Sequence, residues 1–207
     1  MMNKLNQLKD LQLDLLKEVG NIGAGHAATA LSTMIEKTIE MNVPKVKILP
    51  FSEIEEFLGG EDQVMVGIFL RVEGDVPGNM FFMMTKESAK QLLKYMLNSD
   101  DVKHEEFTDL EYSALNELGN ILTGSYLSSL ADFTNLKMNP TVPSIAIDMV
   151  GAILSFGLIQ ISQYSDVAIV IDTTFLDGNN LVEGHFFLIP DPESFQPLFS
   201  ALGVPWE

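Results

Sequence analysis

Cysteine is absent from the 207-residue chain, which removes disulfides, thiolate metal sites and cysteine nucleophiles together. Positive charge is scarce: 12 lysines and arginines stand against 29 aspartates and glutamates, a net of -17. Such a surface repels phosphate backbones and anionic headgroups, so nucleic acid and membrane surfaces are poor partners. A protein offering a lysine or arginine is a better one. Histidine is also rare, and His26, His104 and His185 show no metal-ligand spacing, so no metal site of the chain's own is expected. Long apolar runs are missing too. Met1 to Lys17 mixes Lys4, Lys9, Asp10, Asp14 and Lys17 among leucines, unlike a signal peptide. Met149 to Ile161 contains glycines and is too short to span a bilayer. The expectation is a cytoplasmic protein without membrane insertion.

What is present is a repeat. Asp14, Glu18, Asn21 and Pro44 align with Ser113, Glu117, Asn120 and Pro143, each pair 99 residues apart. Over the 31 positions from Asp14 to Pro44, nine are identical at that offset: Leu16, Glu18, Gly20, Asn21, Ile22, Gly25, Leu31, Val43 and Pro44. The match resumes with drift, Gly78–Met83 answering Glu183–Leu188 and Lys86-Glu87-Ser88 answering Pro192-Glu193-Ser194. Each half reads in one order. A long helix (about Leu5–Glu36; Asp109–Asn135) leads to a strand after the proline (Lys45–Leu49; Ser144–Ile147). A connecting helix follows (Ser52–Leu58; Met149–Gln163), then a strand pair (Val64–Val72 with Asn79–Met84; Val167–Phe175 with Leu181–Ile189). A final helix (Lys86–Leu97; Pro192–Leu202) closes each half. No Ser/Pro/Gly-rich linker divides the halves, about 1–100 and 101–207, and each is small for a separate core. One domain of 207 residues with pseudo-two-fold symmetry is expected.

At about 100° per residue, Asp14, Glu18, Asn21 and Gly25 share one narrow helical stripe, and Ser113, Glu117, Asn120 and Gly124 repeat it. An apolar stripe of Leu8, Leu11, Leu15, Val19 and Ile22 is expected to face the core, which places the polar stripe at the edge of the buried face. A solitary exposed glutamate is ordinarily just solvated. Gly-Asn, however, is a poor helix-forming pair, costing roughly 1–1.5 kcal/mol relative to alanines, and it stands in both helices. Asparagine is neither nucleophile nor base, but its carboxamide can orient a water and donate to a phosphoryl oxygen. Phosphoryl transfer asks for little beyond in-line positioning and charge stabilisation. A glutamate one turn away can hold a lysine of a partner protein.

Asp14-x3-Glu18-x2-Asn21-x22-Pro44 and Ser113-x3-Glu117-x2-Asn120-x22-Pro143 resemble the motif of the CheC family of bacterial chemotaxis phosphatases, over essentially the whole chain. The resemblance implies an α+β fold of tandem helix-strand-x-strand-strand units around a mixed sheet. It implies dephosphorylation of the two-component response regulator CheY at its phospho-aspartate. Asn21 and Asn120 would position the attacking water, and Glu18 and Glu117 would pair with a lysine of the regulator. Asp14, Ser113, Pro44 and Pro143 are then supporting positions. Mg2+ would come with phosphorylated CheY, the chain having no cofactor of its own. The family also implies binding of the CheD deamidase. Asp148, Met149 and Gly151 open the apolar second-half connecting helix, which is longer than its counterpart. They are candidate partner-binding residues, with an N-cap role for Asp148 as the simpler alternative. Two other functions compete: a non-catalytic regulator-binding module, and a flagellar-switch protein similar to FliY. The second is disfavoured because the sequence ends at Glu207 without room for a switch domain. CheX-type relatives characteristically carry one such motif.

Overall fold

The computed structural model describes residues 10–99, 102, 106–158, 167–177 and 180–203. The first half runs α1 (Asp10–Ile35), β1 (Glu40–Asn42), β2 (Val46–Pro50), α2 (Phe51–Phe57), β3 (Val64–Gly74), β4 (Gly78–Thr85) and α3 (Lys86–Leu97). The second runs α4 (Asp109–Thr134), β5 (Met138–Pro140), β6 (Ser144–Met149), α5 (Val150–Leu158), β7 (Val167–Asp177), β8 (Asn180–Pro190) and, after a 3-10 turn at Pro192–Ser194, α6 (Phe195–Ala201). The elements follow the expected order. Strands β1 and β5 are additions, three residues each, too short to show alternation in sequence. The expected helical residues 5–9 and 159–163 lie outside the described residues.

Local chemistry sets the helix boundaries. Thr108 caps α4 with a full capping box: its hydroxyl accepts from the Glu111 N–H, and the Glu111 carboxylate accepts from the Thr108 N–H at 2.6 Å. Thr85 caps α3 by accepting from the Ser88 N–H at 3.0 Å. Asn98 and Asn135 stop α3 and α4 in the left-handed conformation, which asparagine tolerates better than most residues.

The eight strands form one sheet in the order β1-β7-β8-β4-β3-β5, with β2 also on β7 and β6 also on β3. Every pairing among the described residues is antiparallel, which corrects the expected mixed sheet. The reason is exchange. Helix α2 does not return β3 alongside β2; β2 pairs with β7 of the second half, and β6 pairs with β3 of the first. No parallel crossover unit forms, and neither half completes its sheet alone.

Two layers of helix cover the sheet. On one face α1, α3, α4 and α6 bury Leu16, Ala27, Leu92, Leu118, Leu122 and Phe199 against Ile68, Leu70, Phe82, Ile169 and Phe186. On the other, α2 and α5 bury Ile54, Val150 and Leu154 against Met65, Phe81, Met83, Val170 and Phe187. This face assignment corrects the register of the repeat. Matching Phe81 with Phe186 would equate side chains on opposite faces of the sheet. The ladder instead sets Phe82 directly across from Phe186, both on the α1/α4 face. The repeat offset here is therefore 104 rather than 105 residues, because a one-residue slip turns every strand side chain over.

Candidate active site on the paired helices

Helices α1 and α4 lie against each other with their backbones close. A Cβ on Gly23 would stand 3.0 Å from the Tyr126 Cα, and His26 Nδ1 meets Ser129 Oγ at 3.4 Å. Tyr126 is buried in this contact, its hydroxyl 3.1 Å from Thr173 Oγ1 on the sheet. This crowding determines which face of α1 goes inward. The buried side is Leu16, Val19, Ala24, Ala27 and Leu31, with small residues where the helices touch. The expected leucine stripe is thus displaced. Val19 is buried, Leu15 is half-buried, and Ile22 is 46% exposed; the side chains of Leu8 and Leu11 lie outside the described residues. Large apolar residues misled because glycine and alanine fill the tightest part of the interface. As a consequence Asp14, Glu18 and Gly25 stand on the face opposite the core, not at its edge.

The two stripes present their groups outward. Asp14, Glu18, Ser113, Glu117 and Asn120 are exposed. The ion pairs among the described residues are Lys47–Asp172, Arg71–Asp191 and His185–Asp172, so no described residue neutralises either motif glutamate. Ser113 Oγ donates to the Asp109 carbonyl at 2.9 Å, a local helix bond that fits a supporting position. A Cβ at Gly25 or at Gly124 would meet nothing within 4 Å. Nothing among the described residues requires glycine there. The glycines preceding the asparagines differ: a Cβ at Gly119 would come within 2.7 Å of Ile68 Cγ2. Packing explains Gly119, whereas a Cβ at Gly20 would meet Val43 Cγ2 at an ordinary 3.4 Å.

The two asparagines are not equivalent. Asn21 is half-buried; its Nδ2 donates to the Lys17 carbonyl at 3.1 Å and the Val43 carbonyl at 3.4 Å, and its Oδ1 accepts from the Val43 N–H at 2.8 Å. Its carboxamide thereby ties α1 to the segment leading into β2. Asn120 is exposed, and among the described residues no hydrogen bond engages its side chain. The prolines also differ. Pro44 is exposed and Pro143 buried, while the preceding Val43 is 1% exposed and Val142 is 86% exposed. Identity at these positions gave no sign of this inversion.

Elsewhere, Asp148 pairs with Met65 in the sheet and its Oδ1 accepts from the Met149 N–H at 2.8 Å. It is a strand residue and not a helix cap, because β6 continues through Met149. The α5 N-terminus is satisfied by backbone instead: Val150 N–H donates to the Gln63 carbonyl and Gly151 N–H to the Glu61 carbonyl. Asp148 and Met149 remain exposed, and Gly151 is half-buried beside Glu61. Among the described residues no three His, Cys, Asp or Glu side chains gather as a metal donor set, and no helix is long and apolar enough to cross a membrane. A cluster that sequence did not reveal joins Lys47, Asp172 and His185 under Phe57, with His185 Nδ1 2.9 Å from Asp172 Oδ1 and Lys47 Nζ 3.7 Å from the ring centroid. Burial pushes the Asp172 carboxyl up, but the His185 hydrogen bond and the Lys47 charge outweigh it and hold it below the usual carboxylate range.

The CheC-like family model matches residues 11–48 and 110–147, the two segments that carry Glu-Asn and run on to the proline-led strands. CheY-P phosphatase CheC of Bacillus subtilis (strain 168) is 45% identical, over 98% of this chain and 99% of its own length. The chain belongs to the CheC-like family. A more distant relative, putative CheY-P phosphatase CheC1 of Halobacterium salinarum, is 22% identical over 92% of this chain and 96% of its own. Among solved structures, FliY of Thermotoga maritima superposes with a TM-score of 0.78, covering 95% of this chain and 98% of that one at 19% identity. That likeness speaks for the shared fold alone. Within the CheC-like family match, Glu18, Asn21 and Pro44 fall in the first matched segment and Glu117, Asn120 and Pro143 in the second.

Proposed function

We propose that this CheC-like chain is a phosphatase that hydrolyses the aspartyl phosphate of phosphorylated CheY, through two sites of unequal readiness. The observation that carries the reading is the pair of exposed glutamates, unneutralised among the described residues, each with an asparagine one turn on: Asn120 presented outward, Asn21 half-buried and tied to Val43. Glu18 or Glu117 pairs with a lysine of the regulator and fixes the docked register. Asn21 or Asn120 orients water in line with phosphorus. The water oxygen forms the new P–O bond as the bond to the aspartyl oxygen breaks; the aspartate leaves as a carboxylate on the regulator, and phosphate is released with the water's protons shared with solvent. Preorganised positioning and charge stabilisation supply the acceleration. Mg2+ belongs to the phosphorylated substrate, which brings it to the site. The CheD deamidase is the second proposed partner, at the surface of Asp148, Met149 and Gly151; the exposure of Asp148 and Met149 supports it.

Phosphate release from acetyl-phosphate-charged CheY tests the reading. Asn120→Ala and the Asn21/Asn120 double alanine variant lose activity, the double variant entirely. Asn21→Ala loses less, because Asn21 must first release the two bonds to Val43. At about 0.5–1.5 kcal/mol each, that handicaps the first site by roughly fivefold or more. A fully active double variant refutes the asparagine assignment.

A further inference from the structure

Val43 and Val142 hold the same place in the repeat, one residue before each motif proline, yet they face in opposite senses. Val43 covers Gly20, its Cγ2 3.4 Å from where a Cβ of that glycine would stand. In the second half Pro143 takes the inward place, 3.6 Å from the Cβ position of Gly119, and Val142 is left outside. At 86% exposure it is the most exposed large hydrophobic side chain among the described residues. Its neighbours do not let it turn in. The Thr141 N–H donates to the Arg71 carbonyl at 2.9 Å, and the Thr141 hydroxyl accepts from the Arg71 N–H at 3.0 Å. Beyond the proline, Ser144 is already paired with Phe69 in the sheet. Val142 is therefore an apolar knob on a fixed backbone. Because Pro143 rests on Gly119, the residue before Asn120, the knob stands beside the proposed second site.

We propose that Val142 is a docking residue of that site, seating against an apolar patch that flanks the phospho-aspartate on the regulator. The inference rests on the phosphatase reading and adds a positioning contact to it. A contact made equally in the ground and transition states lowers KM and leaves kcat alone. Folding gains nothing from a valine held in water, whereas burial on docking is favourable. The counterpart Val43, being buried, can make no such contact, so the knob is particular to the second site.

The test uses the full-length protein carrying Glu18→Lys, which silences the first site at an exposed residue without disturbing packing. Steady-state dephosphorylation of CheY-P is then followed for Val142→Ser, Val142→Ile and, as an exposed apolar control in the β7–β8 hairpin, Leu181→Ser. Val142→Ser is expected to raise KM about five- to tenfold with kcat within twofold. Val142→Ile restores the parent KM, and Leu181→Ser leaves it unchanged. An unchanged KM in Val142→Ser, or a fall in kcat alone, overturns the inference. Adding Glu117→Lys to the same background must abolish turnover; persistence of turnover there would instead sink the assignment of the two glutamate sites, and no turnover in the unsubstituted protein would sink the phosphatase reading, so the failures are told apart.

Discussion

Gly25 and Gly124 each sit sixteenth in a 26-residue helix, on the face opposite the core, and a methyl group at either meets nothing within 4 Å. For stability alone both should be alanine. Replacing glycine by alanine in an exposed helix interior stabilises by about 0.8–1 kcal/mol, which for a chain of this size raises Tm by about 2–4 °C per site. The proposed function demands the opposite for activity, since the missing side chains leave room for the regulator's backbone beside Asn21 and Asn120. A misplacement of about 1 Å in the docked complex costs on the order of a hundredfold in rate. The Gly25→Ala/Gly124→Ala protein is therefore expected to melt several degrees higher and to lose at least tenfold in kcat/KM toward CheY-P. Thermal denaturation followed by circular dichroism reads the first quantity, and phosphate release reads the second. A double variant that is both more stable and fully active refutes the idea that these glycines serve close approach, and leaves them unexplained.

Gly20 and Gly119 are equivalent in sequence but not in packing. Gly119→Ala drives a methyl to 2.7 Å from the buried Ile68 and is expected to destabilise by about 1–2 kcal/mol net, whereas Gly20→Ala meets Val43 at an ordinary 3.4 Å and is neutral or slightly stabilising; urea titration distinguishes them. Asp172 supplies a pH signature. Its folded carboxyl is held below the usual carboxylate range, so its contribution is present above the unfolded value and lost as pH falls through the folded one. Asp172→Asn should lower Tm at pH 7 and the gap to the parent should close as the solution is acidified below the usual carboxylate range; a gap independent of pH contradicts the ion network.

Period and boundary chemistry made the elements legible. Thr85, Thr108, Asn98 and Asn135 announce helix ends by their side-chain chemistry, and the alternating apolar runs from Val64 to Met84 announce a hairpin. Partner choice between strands was not legible. Lys45–Leu49 reads equally well as a neighbour of its own half's hairpin or of the other's, because a duplicated sequence offers the same alternation to both. The exchange of β2 onto β7 and β6 onto β3 is a property of the assembled sheet. The off-by-one match of Phe81 with Phe186 has a related origin: Phe-Phe in both strands scores well in either register, and only the two-sided burial of the sheet distinguishes them. In the helices, the stripe of Asp14, Glu18, Asn21 and Gly25 was legible from spacing alone. That Asp14, Glu18 and Gly25 stand opposite the core while Asn21 is half-buried against Val43 was not, since the middle of the inward face is marked by Gly20, Gly23, Ala24 and Ala27 between Leu16 and Leu31.

The exchanged strands also set each motif against the hairpin of the other half. Each motif proline follows a short strand held by the hairpin of the opposite half: β1 is paired with β7 and β5 with β3. The backbone presented beside Asn120 is thus set by the first-half residue Arg71, which bonds Thr141 twice. Beside Asn21 the equivalent residue Asn42 is paired with Thr174 in the β1–β7 ladder, and Thr174 Oγ1 also donates to its carbonyl at 3.5 Å. In the first half Val43 settles over Gly20 and its backbone takes up the Asn21 carboxamide. In the second Pro143 packs beside Gly119 and Val142 is turned out. A substitution in one half's hairpin should accordingly be felt first at the other half's site. The readiest test is Thr141→Val, which removes the hydroxyl acceptor while keeping the side-chain shape. It should impair turnover in the Glu18→Lys background and leave turnover in a Glu117→Lys background unchanged; equal effects in the two backgrounds would separate the loop from the site.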